Sequence, residues 1–261
     1  MTADGVVGVS RAGARVDVTV RHAAKRNAMS EVLQQALATT FTDLADDPTI
    51  GLVVLTAEGD AAFCTGGDLY EVARADTPDA ARELATRIRG VLDTIRRFPA
   101  PVVAALNGLA LGGGSELAVC ADFRVAAAHA HIVFGQVGQA VSPGWGGGVD
   151  LVERVSAATA QRLLASGTRL GHAEGLALGL YDAVAAEGES LAEAVDRFVA
   201  PLLTAPPQVL RANKAIAVAA RFTPQRAALE AIEREHFVAT WMHPDHWARL
   251  DAFLNRPRPG S

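Results

Sequence analysis

Two glycine-rich segments carry the residues best suited to chemistry. Phe63-Cys64-Thr65-Gly66-Gly67-Asp68-Leu69 comes shortly after the apolar run from Gly51 to Thr56, and Asn107 through Leu117 (NGLALGGGSEL) directly follows the run from Pro101 to Leu106. Glycine lets a backbone approach a ligand without a Cβ in the way, or take a positive φ. The GGGSEL segment then runs into a predicted helix, Ser115 to Cys120, whose first N–H groups have no internal acceptor. Those donors and the helix dipole favour developing negative charge. Gly67 offers a donor from the other segment, so the pair allows a two-donor hole for an oxygen that becomes anionic. Glu116 lies in the first helical turn, where the dipole also favours a purely structural carboxylate. Taken singly, each cluster would serve a tight turn or close packing equally well.

Other chemistries find little support. Neither GxxxxGK[ST] nor GxGxxG occurs, so nucleotide binding gains nothing from these glycines. The seven histidines show no HxxxH or HExxH spacing, and no metal site is expected. Cys64 and Cys120 lack CxxC spacing and are expected to be reduced, buried thiols. No Ser/His/Asp set can be assigned from spacing. The net charge of −5 gives no reason to expect a nucleic-acid surface. The amino terminus lacks a basic stretch followed by an apolar core, and apolar runs stop well short of the ~18 residues a membrane helix needs. A cytoplasmic protein is expected.

The elements that must position these residues follow from periodicity. Val6 to Ser10 and Arg15 to Val20 alternate as half-buried strands do. Ser30 reads as an N-cap, followed by Leu33, Leu37, Phe41 and Leu44 at helical spacing. Gly51 to Thr56 and Pro101 to Leu106 are continuous apolar runs, as expected of strands covered on both faces, and Phe123 to Ala126 is a third candidate. Thr77-Pro78 reads as N-cap and first helical residue ahead of the stripe Leu84, Ile88, Leu92 and Ile95. Strands alternating with helices to about residue 155 predict an α/β fold with parallel connections. Beyond Ala157 strand signals nearly vanish, and helices are predicted around Leu163 and over 191–203, 209–220, 224–241 and 245–254. The length of 261 residues suits one large domain or a domain with a helical extension; the division expected is a core over 1–205 and a helical region over 206–261.

Taken together and in this order, the segments resemble the enoyl-CoA hydratase/isomerase (crotonase) family. His22 to Met29 is similar to the family's segment before its first helix. Ala62 to Leu69 is similar to its first oxyanion-hole loop, and Asn107 to Ala118 to its second. Pro143-Gly144-Trp145-Gly146-Gly147 matches its proline-glycine turn, Gly167 to Val184 its helix-and-strand return, and Pro207 and Lys214 fall in their usual context. The resemblance covers essentially the whole chain and implies a spiral of ββα units with a helical C-terminal trimerisation region. It implies an acyl-CoA enzyme that holds a thioester enolate between the N–H groups of Gly67 and Gly113, with Glu116 as acid/base. No cofactor is implied beyond the coenzyme A that the substrate carries.

The resemblance further implies contacts to substrate and coenzyme A from Lys25, Ala62, Asp68, Leu69, Tyr70, Gln136 and Gly138, and from Phe253 and Arg256 near the carboxyl end. It implies a homotrimer or homohexamer, with no nucleic-acid or membrane partner. Leu229, Ile232, Phe237, Trp241 and Trp247 could serve that contact or the core alone. The chain departs from the family at the second acid/base glutamate. Counting from Phe134-Gly135-Gln136 puts Gly138 there; counting back from Pro143 puts Gln136 there. Neither is a carboxylate. Gln139 and Ser142 are nearby polar groups, while Asp68 and Asp122 match positions that are aspartate whatever the reaction. A single glutamate leaves hydration, isomerisation and decarboxylation of a malonyl-type thioester open. The shortened loop and Ser142 to Gly147 resemble the decarboxylating branch, and a non-catalytic acyl-CoA-binding role also stays open.

Overall fold

The computed structural model describes residues 6–255. Strands β1 (Val7–Ala12) and β2 (Arg15–Val20) form a hairpin around Gly13, which takes a positive φ of 61°. Helix α1 (Glu31–Ala45) starts at Ser30, whose side chain accepts from the Leu33 N–H, with Glu31 in the first turn. Strands β3 (Leu52–Ala57) and β4 (Ala62–Cys64) lead into the short helix α2 (Leu69–Val72) and then α3 (Pro78–Arg96). Thr77 caps α3 by accepting from the Ala80 N–H, and Pro78 gives up a donor that would have had no partner.

Next come β5 (Val102–Leu106), β6 (Leu109–Leu111), α4 (Gly113–Cys120), β7 (Phe123–Ala126) and β8 (Ile132–Val133). The remainder is α5 (Gly147–Arg154), α6 (Ala157–Ser166), α7 (His172–Ala177), β9 (Ala183–Val184), α8 (Leu191–Val199), α9 (Pro207–Arg221), α10 (Pro224–Trp241) and α11 (Pro244–Leu254). The helix expected over 191–203 stops at Val199, because Pro201 cannot continue it, and a separate 3-10 turn covers 202–204.

The strands form two sheets. The larger has the order β1-β2-β3-β5-β7-β9, parallel apart from the β1–β2 hairpin, and the smaller is the parallel set β4-β6-β8. Each of β3, β5 and β7 thus continues into a short strand of the second sheet before the chain turns away. That repeated step is the ββα spiral. Within the large sheet the pleat sends Val53 and Leu55 to one apolar cluster and Leu52 and Val54 to the other, which is why these strands read as unbroken apolar runs.

The first cluster also takes Leu84, Ile88, Leu92 and Ile95 from α3 and Phe237, Val238 and Trp241 from α10. A fully buried leucine such as Leu92 contributes roughly 1.5–3 kcal/mol. Of the five apolar residues in the carboxyl-terminal helices, Phe237 and Trp241 belong to the core, Trp247 packs against it, and Leu229 and Ile232 stay 37% and 56% exposed. Both cysteines are free and buried, and burial pushes each thiol up to about 12. No helix among the described residues is long and apolar enough to cross a membrane.

Candidate active site

The small sheet brings the two glycine segments side by side. Met29 donates its N–H to the Gly66 carbonyl at 2.7 Å and pairs opposite Gly67 in parallel register. In such a pairing Met29 bonds to the neighbours of Gly67, so the Gly67 N–H is left off the ladder. Gly66 takes a positive φ of 94°, and a Cβ on it would lie 3.2 Å from the Gly113 N. Gly113 opens α4, where the first N–H groups have no helical acceptor. Gly114 allows this close approach, since a Cβ there would strike the Cys64 carbonyl oxygen at 1.9 Å. The helix begins two residues before the expected Ser115, with Gly112 (φ 58°) as N-cap.

The indole of Trp145 lies against both glycines. A Cβ on Gly113 would sit 2.1 Å from its ring, and one on Gly67 3.7 Å from it. Glu116 follows Gly113 by three residues and is 2% exposed. Its Oε2 accepts from the N–H groups of Trp145 at 2.8 Å and Gly147 at 2.9 Å, and its Oε1 from Gln136 Nε2 at 3.1 Å. Burial raises its pKa despite these three donors, which favour the ionised form.

Of Gln136 and Gly138, the one hydrogen-bonded to Glu116 is Gln136. Its side chain is buried, with its Oε1 lacking a partner among the described residues. Gly138 lies exposed on the same 3-10 turn, with open space where a Cβ would point and its carbonyl taken by Arg249.

The remaining residues singled out from sequence sit around the first loop. Lys25 Nζ lies 2.6 Å from Asp68 Oδ2. Burial works against it, but Lys25 and the amides of Tyr70 and Glu71 hold the Asp68 carboxyl below its ordinary range. Asp68 also caps α2, ahead of half-buried Leu69 and a Tyr70 that is 63% exposed. Ala62 is buried, and its carbonyl accepts from Asn27 at 2.7 Å and Asn107 at 3.1 Å. Asp122 bonds the Val102 N–H and Lys214 Nζ, tying α9 to β5. Ser142 meets Thr240 of α10 through its N–H, and the Gln139 carbonyl takes His246. Phe253 is 43% exposed on α11, and Arg256 lies outside the described residues.

The sequence reading missed what surrounds Glu116 on its far side. Arg96, fully buried in α3, donates to the Trp145 carbonyl at 2.9 Å and to Asp150 at 2.9 Å. Glu233 of α10 accepts from the Gly148 N–H at 2.9 Å and from Arg89 at 2.8 Å. Its pKa is pushed up to about 8, by burial first and then by the charge of Glu116, with Arg89 opposing. The signal available was spacing: Glu233 precedes Phe237 by four residues and Trp241 by eight, on the stripe that faces the core. Surface grooves of about 680 Å³ between β1 and α1, and of about 330 Å³ beside Arg97 and Lys214, lie away from both glycine loops. Among the described residues no group of three or more His, Cys, Asp or Glu is placed to hold a metal ion.

Known proteins resemble this chain over nearly its whole length. The family model described as enoyl-CoA hydratase/isomerase matches residues 12–260. A crotonyl-CoA hydratase of Syntrophomonas wolfei is 31% identical over 88% of this chain and 87% of its own. An ethylmalonyl-CoA decarboxylase of Danio rerio is 31% identical over 90% of this chain and 77% of its own. The crystal structure of an enoyl-CoA hydratase/isomerase from Mycobacterium paratuberculosis superposes with a TM-score of 0.82 at 25% identity, covering 95% of this chain and 98% of that one.

Proposed function

The chain belongs to the enoyl-CoA hydratase/isomerase family, and from that premise we propose that it acts on acyl-CoA thioesters through an enolate, in the manner of the hydratases and isomerases. The observation that carries this reading is the approach of Gly113 to the 66–67 loop, with Glu116 one helical turn further on. In this reading the N–H groups of Gly67 and Gly113 donate to the thioester oxygen. They bind it more strongly as it becomes anionic, and each such donor contributes roughly 100- to 1,000-fold in rate. Glu116 exchanges the proton at the carbon beside the carbonyl. A carboxyl whose pKa is raised by burial suits that exchange near neutral pH.

One carboxyl is enough for isomerisation, which moves a single proton from the α-carbon to the far end of the dienolate. Hydration requires a positioned water as well, and the unpartnered Oε1 of Gln136 is a buried acceptor for one. Lys25, Ala62, Asp68, Leu69 and Tyr70 would line the approach of coenzyme A along the first loop, with Phe253 of α11 meeting it from the carboxyl end. Gly138 would flank the acyl group. The carboxyl-terminal helices, with the exposed Leu229 and Ile232, would assemble a homotrimer or a pair of trimers in the cytoplasm. Short and medium enoyl-CoA thioesters, incubated with the protein and followed by mass spectrometry, should be converted. Glu116→Gln should lower turnover by about 100- to 10,000-fold. Unchanged turnover in that variant would remove Glu116 from the reaction.

A second reading is favoured by one observation: the side chain hydrogen-bonded to Glu116 is the amide of Gln136, not a carboxylate. Decarboxylation of a malonyl-type thioester requires no general base. The bond from the α-carbon to the carboxylate breaks, CO2 leaves, and its electron pair becomes the enolate held by Gly67 and Gly113. Glu116 then supplies the proton to the α-carbon. Loss of CO2 from ethylmalonyl- or methylmalonyl-CoA, with no product from enoyl-CoA, selects this reading over the first.

A further inference from the structure

Two buried carboxyls occupy one helix end. Helix α5 starts at Gly147, so the N–H groups of Gly147 and Gly148 are without helical acceptors. Glu116 of α4 accepts the first and Glu233 of α10 accepts the second, at 2.9 Å each. The glycines are what admit them: a Cβ on Gly147 would meet the Glu116 side chain at 2.4 Å, and one on Gly148 would meet Glu233 Oε1 at 2.6 Å.

We propose that Glu233 is a positioning residue for Glu116: the two carboxyls share one proton on the first turn of α5, and Glu233 sets the protonation state in which Glu116 meets the substrate. This inference rests on the reading that Glu116 moves the substrate's proton.

The surrounding charges leave room for that proton. Glu233 faces Arg89 of α3, Glu116 of α4 and Asp150 of α5. Asp150 is already matched by Arg96, Arg221 and Arg226, and Arg226 is shared further with Glu153 and Glu230. Arg96 also holds Asp93, and Arg89 is divided between Glu233 and Glu230. Four guanidiniums therefore face six carboxyls, and the shortfall lands on the two that bind backbone amides. Neutralising one of them relieves both repulsion and desolvation. Burial raises both pKa values, and the charge of Glu116 raises Glu233 further, as expected of two carboxyls on neighbouring amides of one helix end. Gln136 can serve either form of Glu116. Its amide donates to a carboxylate, and its free Oε1, turned round, accepts from a neutral acid.

The test uses the intact protein with carbon-13 in the glutamate carboxyls, titrated by NMR, beside pH profiles of turnover. Glu233→Gln keeps an oxygen for the Gly148 N–H while removing the charge. The Glu116 titration, and the limb of the turnover profile that follows it, should then move to lower pH by about one unit or more. The direction is the same whether Glu116 gives or takes the proton. Glu116→Gln should bring the Glu233 titration down from about 8 in the same way. Glu230→Gln, which removes a charge near Arg89 but not from the helix end, should shift neither group comparably. A Glu116 titration unmoved in Glu233→Gln, or two wild-type carboxyls titrating in the ordinary glutamate range, overturns the pairing. Coupled carboxyls in a protein that turns over no thioester would uphold the pair and defeat the catalytic reading instead.

Discussion

Asp150 and Glu116 are both fully buried carboxyls at the start of α5, and they are held in opposite ways. Asp150 receives three guanidiniums: Arg96 on Oδ2, and Arg221 and Arg226 on Oδ1, the last two at 2.7 Å. Burial works against ionisation there, yet Arg96, Arg221 and Arg226 hold the group well below the usual carboxylate range. Among the described residues Glu116 bonds to no cation; backbone amides and the Gln136 side-chain amide surround it, and burial raises it. Burial alone therefore does not decide the charge of a group here; the donors do. Cations lock Asp150 as an anion that ties α3, α5, α9 and α10 together. Dipoles leave Glu116 able to lose and regain a proton, which suits the work proposed for it.

The largest effect should come from breaking the cation-held member. Asp150→Asn leaves three guanidiniums without their counter-charge in the interior, and urea denaturation should show a loss of about 3–5 kcal/mol. A loss below 1 kcal/mol would mean that solvent reaches those arginines. Arg89→Met sharpens the other side by taking the nearest cation from Glu233. The cost should be about 1–3 kcal/mol at pH 9, and smaller at pH 6, where Glu233 can hold its proton. Equal losses at both pH values would show that Glu233 does not titrate between them.

The smallest expected effect is a slope. The folded-state pKa of Glu233 lies above its unfolded value, so the native state binds the extra proton between about pH 4.3 and 8. The native state's advantage is therefore complete below that window and declines as pH rises through it. Thermal unfolding of Glu233→Gln should lose part of this decline, narrowing its Tm deficit or passing the wild type by pH 9. Asp150 runs the other way. Its depressed pKa gives stability that is present above about pH 3.9 and is lost in acid.

These two carboxyls also mark how far the sequence could be read. The strands β3 and β5 and the caps Ser30 and Thr77 are legible, because two-sided burial writes a continuous apolar run and a cap is local chemistry. The strands β4, β6 and β8 are not legible. Each is only two or three residues long, and each exists by pairing with segments far along the chain. Around Glu116, the glycines and Gln136 stand out by type, but the choice between Gln136 and Gly138 needed the fold, since two ways of counting disagreed. Asp150 and Glu233 read as ordinary surface charge on helices. Glu233 carries a faint signal in its spacing to Phe237 and Trp241; for both, burial against arginines and amides from other elements is what distinguishes them.

The seat of Glu116 has a consequence for how the molecule is made. Its donors come from positions 136 and 145–147, and the amide beside them is closed by Glu233, with Phe237 and Thr240 of α10 packed against the same turn. Synthesis runs from the amino end, so the glycine loops and α4 leave the ribosome long before α10 does. Until that helix docks, the Gly148 amide has only water to bond and the turn that seats Glu116 lacks the support of Phe237 and Thr240. A nascent or clipped chain ending before α10 would hold both glycine loops in sequence and still lack a finished site.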